Sequence, residues 1–109
     1  MFILKNFNGK TLRGIVTEKT DFHYTVRWDD GALGILLIED ENKWYKLYPS
    51  CRVVSTKKNE TIFTGLFEEC RRACRERWSA AGHSPDFLVR NGYTEVLFLN
   101  GLVAQIVSD

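Results

Sequence analysis

Residues 22–31 read FHYTVRWDDG, and the alternation inside this stretch decides the fold class. Phe22, Tyr24, Val26 and Trp28 share one parity while His23, Thr25 and Arg27 take the other, which puts the large apolar side chains on one face of a half-buried strand. Asp29, Asp30 and Gly31 stop it. Asp tolerates and Gly favours positive φ, so the chain is expected to reverse there into a second strand, Leu33 to Ile38.

Working outward, Thr11 to Glu18 reads as a strand behind a turn at Asn8, Gly9 and Lys10, and Gly14 inside it signals a bulge or a close contact. Downstream, Lys43 to Tyr48 places Trp44, Lys46 and Tyr48 on one side and Tyr45 and Leu47 on the other. Pro49 ends that strand, and Arg52 to Ser55 makes a fifth. Five short strands separated by tight turns are the pattern of a small barrel or a strongly bent sheet. The segments LRGIVTEK, FHYTVRWDDG, LGILLIED, KWYKLYPS and CRVVS resemble, in that order, SH3-like barrels of the Tudor and chromo-barrel type. The resemblance is carried by Gly14, Tyr24, Val26, Trp28, Asp30 and Gly31. It implies a barrel in the first half and an aromatic cage for a methylated cation, with Tyr24, Trp28, Trp44, Tyr45 and Tyr48 as cage candidates.

The second half changes period. Leu66 or Phe67, Cys70, Ala73 or Cys74, Trp78 and Ala81 recur at steps of three and four, which predicts an amphipathic helix over residues 65–81. Thr64 is the expected cap and Gly82 the exit. Ser84, Pro85 and Asp86 read as the start of a second, very short helix closed by Asn91 and Gly92. Tyr93 to Leu99 and Leu102 to Val107 flank Asn100-Gly101, a strong hairpin signal. Both hairpin faces are apolar and must be covered, by the helix on one side and by the barrel or a second copy of the chain on the other. The expected architecture is therefore α+β in one domain, 1–109: an SH3-like barrel over 1–56, then one helix, a short helix and a C-terminal hairpin over 61–109. No internal repeat or low-complexity segment is read.

Composition sets limits on function. A chain of 109 residues with 44% hydrophobic side chains has enough apolar content for a real core without disulfides. Fifteen Lys and Arg against 14 Asp and Glu leave a net charge of +1, which lacks the basic excess on which non-specific nucleic-acid binding relies. The longest uninterrupted apolar runs, Ile35 to Ile38 among them, are far shorter than a membrane span, and Met1 to Lys5 carries no secretory pattern. Three cysteines, two of them four apart on one predicted helix, fit reduced thiols in a cytoplasmic protein.

Chemistry is hard to assemble from these residues. Cys51, Cys70, Cys74, His23 and His83 lack paired zinc-ligand spacing, and Glu39, Asp40 and Glu41 lack that of a calcium loop. No nucleotide-binding, nucleophile-elbow or zinc-protease motif occurs. The reading is no enzyme, no metal and no cofactor. Binding needs less, because Trp, Tyr and Arg anchors carry most interface energy. Trp44, Tyr45 and Tyr48 cannot all enter a small barrel, so with Lys43 and Lys46 they form the expected patch for a protein partner. Trp28, Phe22 and Trp78 are expected to pack inside. In its plainness and size the chain is similar to small accessory proteins of bacteria and their phages, including inhibitors of host enzymes. Two alternatives stand beside docking. Arg71, Arg72, Arg75 and Arg77 would contact nucleic acid, although Glu68, Glu69 and Glu76 offset them; a homodimer would form through the C-terminal hairpin.

Overall fold

The computed structural model describes residues 1–109 and forms two compact units, Met1–Pro49 and Ser50–Asp109. Unit 1 is built from β1 (Phe2–Phe7), β2 (Lys10–Lys19), β3 (His23–Trp28), β4 (Leu33–Leu37), a 3-10 turn (Ile38–Asp40) and β5 (Tyr45–Tyr48). Unit 2 contains β6 (Cys51–Ser55), β7 (Thr61–Gly65), α1 (Phe67–Arg77), β8 (Asp86–Val89), β9 (Tyr93–Phe98) and β10 (Gly101–Ser108). Each unit holds one five-stranded antiparallel sheet, in the orders β4-β3-β2-β1-β5 and β7-β6-β10-β9-β8.

The two orders share one logic. In each unit, strands pair with their chain neighbours, and the first strand also pairs with the last: β1 with β5, and β6 with β10. One neighbouring pair stays unladdered in each sheet. In unit 1 that seam lies between β4 and β5, where the 3-10 turn sits; in unit 2 it lies between β7 and β8, where α1 sits.

These sheets correct the expected architecture. The protein is mostly β, with two open sheets and a single α-helix, rather than a closed SH3-like barrel followed by two helices and a hairpin. Unit 1 takes its fifth strand from Phe2–Phe7, not from Arg52–Ser55, which pairs with β10 and β7 in the other sheet. The expected short helix at Ser84–Asp86 is instead edge strand β8. Four residues are too few to bury a helical face, whereas pairing Asp86–Val89 with β9 satisfies their backbone, and Pro85 stands just outside the ladder where no N–H is required.

The helix is shorter than its sequence period suggests. Gly65 and Thr64 belong to β7, and the N-cap is Leu66, whose N–H donates to the Glu69 carboxylate at 2.9 Å. At the other end Trp78 is the C-cap, and the chain reverses at Ala81 and Gly82, with φ of 51° and 81°, inside a short Ala80–His83 bridge.

Each unit has its own core. In unit 1, Ile3, Tyr24, Val26 and Tyr45 are buried, with Val16, Trp28, Leu36, Ile38 and Leu47 packed against them. Phe22, expected among them, is 78% exposed. The Thr20 hydroxyl accepts from the N–H groups of Phe22 and His23, so the backbone is still turning there and the ring leaves the inner face. In unit 2, Cys51, Val53, Cys70, Cys74, Val96, Ala104 and Ile106 are buried, and Trp78 packs against them.

Candidate functional site

The expected contact patch falls on a cleft of about 310 Å3 in unit 1. Its floor is a face of three adjoining strands. Leu4 stands opposite Lys46, Phe2 opposite Tyr48 and Asn6 opposite Thr11, so these side chains share one side of the sheet. The Thr11 hydroxyl donates to Asn6 Oδ1 at 2.9 Å, which leaves the Asn6 amide nitrogen as a donor on the cleft.

The rim is set by the loop before β5. Asn42 adopts φ 67°, a conformation Asn tolerates better than most residues, and its N–H donates to the Tyr45 carbonyl at 2.8 Å. The N–H groups of Lys43 and Trp44 both donate to the Asp40 carbonyl, at 3.0 and 3.1 Å. This tight loop turns the Trp44 indole outward, where it is 69% exposed. Strand parity then places Lys46 and Tyr48 on the outside and sends Tyr45 inward.

Of the five patch residues, Lys43, Trp44, Lys46 and Tyr48 therefore meet at the cleft with their side chains, while Tyr45 is core. The Tyr45 hydroxyl donates to the Leu37 carbonyl, and its ring meets Tyr24 edge-on at 6.4 Å. Burial pushes the Tyr45 phenol up to about 12; Tyr24 moves the same way, from burial and from its hydrogen bond to Glu41. Tyr24 is buried and Trp28 half-buried in the core, so the two central cage candidates present no open aromatic box. Asn6 and Thr11 complete the floor and are legible only once β1 is a strand, whereas Asn42 is placed by the left-handed turn of the loop before β5.

The four helix arginines do not gather as a free basic face. Arg71 and Arg75 lie over the Phe87 ring at 5.1 and 5.4 Å, Arg77 lies over Trp78 at 5.5 Å, and Arg71 also pairs with Glu68 at 2.8 Å. Arg72 stands on the same helix without joining these stacks. The C-terminal hairpin is interior to its sheet: β10 pairs with β6 and β9, and β9 with β8 and β10.

All three cysteines are free and buried. Burial pushes Cys70 up to about 12 and Cys74 up to about 11, and raises Cys51 as well, so none holds a thiolate at neutral pH. No three His, Cys, Asp or Glu side chains converge as a metal-ligand set. No helix is long and apolar enough to cross a membrane.

A comparison with known proteins finds no matching family model, no matching curated protein and no matching solved structure.

Proposed function

We propose that the chain is a non-enzymatic docking module whose first unit grips a protein partner through the Trp44–Tyr48 cleft. The single observation that carries this reading is the cleft itself: an exposed indole and a phenol ring, flanked by Lys43 and Lys46, over a floor with no carboxylate. Exposed Trp and Tyr give large contact area at low entropic cost, and such anchors dominate interface energies. The chemistry selects the partner. Two lysines at the rim favour an acidic segment with an apolar or aromatic side chain, and they repel the methylated cation that the Tudor-like resemblance implies. The three reduced, buried thiols support a cytoplasmic setting, as for a small accessory or inhibitory protein.

Nucleic acid fits less well. The net charge is only +1, and three of the helix arginines are stacked on the chain's own rings. Affinity capture from lysate, with and without nuclease, compares the parent chain with a Trp44→Ala/Tyr48→Ala double variant. A nuclease-resistant protein held by the parent, and bound at least tenfold more weakly by the folded double variant, is the expected result. Equal retention by both forms rejects the cleft, and loss on nuclease treatment rejects a protein partner.

A further inference from the structure

A second surface of unit 1 lies at the open edge of β4. Strand β4 ends the sheet, and its side chains alternate: Leu33, Ile35 and Leu37 are 74%, 67% and 46% exposed, while Gly34 and Leu36 turn inward. The backbone of the same three residues faces the free edge. Trp28 N–H donates to the Ala32 carbonyl and Ile38 N–H to the Phe22 carbonyl, which fixes the hydrogen-bonded pairs of the β3–β4 ladder at every second position. Leu33, Ile35 and Leu37 occupy the alternate positions, so their N–H and C=O groups point away from β3. The Leu37 carbonyl is taken by Tyr45, which ties that end of the edge to β5; the main-chain groups of Leu33 and Ile35 and the Leu37 N–H have no partner in the chain, the pattern to which a strand adds.

Proteins usually blunt such an edge with Lys, Pro or a bulge. Leu33–Leu37 carries none of these, and its register against β3 runs without a shift. The ends of the edge are acidic instead. Asp30 sits in the turn that enters β4, and beyond Leu37 a recess of about 350 Å3 is lined by Asp21, Phe22, Leu37, Ile38 and Glu39. Neither Asp21 nor Glu39 joins an ion pair or a hydrogen bond within the chain. An apolar floor under two uncommitted carboxylates suits a Lys or Arg side chain, its methylene stem on Phe22 and Leu37 and its charged head between the acids.

The geometry points to β-strand addition at β4 by an extended segment of a protein partner, with alternating aliphatic side chains bracketed by Lys or Arg. A second copy of the chain fits worse. A two-fold pairing centred on Ile35 sets Leu33 against Leu37 but also brings the turn that carries Asp30 toward the Ile38–Asp40 turn of the other copy, like charges at both ends of a short ladder. This surface is separate from the Trp44 cleft and does not depend on it.

The test uses the fluorescein-labelled peptide KTITITITK, with ETITITITE and KTSTSTSTK as comparisons, titrated by the full chain and followed by anisotropy. Saturable binding of the first peptide, at least tenfold tighter than either of the others, is expected, together with slowed amide exchange at Leu33 and Ile35. Ile35→Lys should weaken binding at least tenfold. An Asp21→Asn/Glu39→Gln double variant, whose altered side chains carry no internal bonds, should narrow the preference for basic over acidic flanks. Absence of saturation, equal affinity for basic and acidic flanks, or indifference to Ile35→Lys in a folded protein overturns the proposal. So does sedimentation of the peptide-free chain as a dimer that Ile35→Lys dissociates, which assigns the edge to a second copy.

Discussion

The Tyr45 hydroxyl donates to the main-chain carbonyl of Leu37 at 2.5 Å, joining β5 to β4 where no backbone ladder connects them. One side chain thus bridges the seam of an open sheet. It satisfies a carbonyl that strand pairing would otherwise have to reach. Tyr45→Phe keeps the ring and removes the donor, so unit 1 should lose about 1–2 kcal/mol at neutral pH, measured by urea denaturation. The pH dependence follows from the raised phenol. Folded Tyr45 keeps its proton up to about 12 whereas an exposed tyrosine loses it near 10.0, so the unfolded chain binds fewer protons in between. Stability is whole below pH 10 and falls from there toward 12. Because Tyr45→Phe removes that loss, the gap between variant and parent should narrow as pH rises through this window.

Trp28 lies across two glycines of neighbouring strands. A Cβ at Gly34 would come within 2.7 Å of its Nε1, and one at Gly14 within 2.8 Å of its Cε3 and 2.6 Å of Val26 Cγ1. Gly34→Ala should therefore displace the indole and cost about 1–3 kcal/mol, read as a lowered melting temperature and a red-shifted Trp emission. In the Trp28→Phe background the same substitution should cost less than half as much. An equal cost in both backgrounds would mean that the ring is not what occupies the space.

The β-pattern of residues 23–28 and the parity of Trp44–Tyr48 were legible because each strand there has one wet and one dry face, whereas β4, aliphatic on both faces, followed from the Asp29–Gly31 turn. Period-2 alternation reports a strand of the first kind directly. Strand β1 was not legible for the opposite reason: Phe2 and Ile3 are both buried, one beneath the Arg13 guanidinium at 4.4 Å and the other in the core, so FILKNF shows no alternation. The sheet to which Cys51–Ser55 belongs is set by pairing with Ala104–Ser108, about half the chain away, and no local pattern carries that information. At Ser84–Asp86 a helix-start pattern was present, and the β9 ladder overrode it. The cleft inherits this split: its aromatic rim could be read from parity, while its floor needed β1.

The turn between β9 and β10 offers a stabilising change. Asn100-Gly101 marks the hairpin in the sequence, but the two loop residues are Leu99 and Asn100, with φ of 51° and 67°, and Gly101 already pairs with Phe98. A leucine in the left-handed region is strained, and Leu99 is largely exposed, with little packing to lose. Leu99→Gly should stabilise unit 2 by about 0.5–1 kcal/mol, less than the full strain because Gly also loosens the unfolded chain. Thermal denaturation should show a rise of a few degrees, and an unchanged or lower midpoint would place the strain elsewhere.

The thiols of unit 2 give a separate alkaline signature. Cys70 and Cys74 are raised from 9.0 to about 12 and about 11 by burial, so the folded unit holds protons that the unfolded chain releases above pH 9. Their contribution is complete below pH 9 and declines toward 11–12. Helix α1 carries both residues, so its ellipticity at about 222 nm should begin to fall at lower pH than the tyrosine-linked loss in unit 1. In Cys70→Ala, neutral stability should drop by about 1–2 kcal/mol from the cavity, yet the decline above pH 9 should be shallower. At pH 8, iodoacetamide should label the native chain far more slowly than the urea-unfolded chain, since the reactive thiolate is suppressed by the same burial. Rapid native labelling of Cys70 or Cys74 would mean that α1 opens readily, and the alkaline slope should then vanish with it.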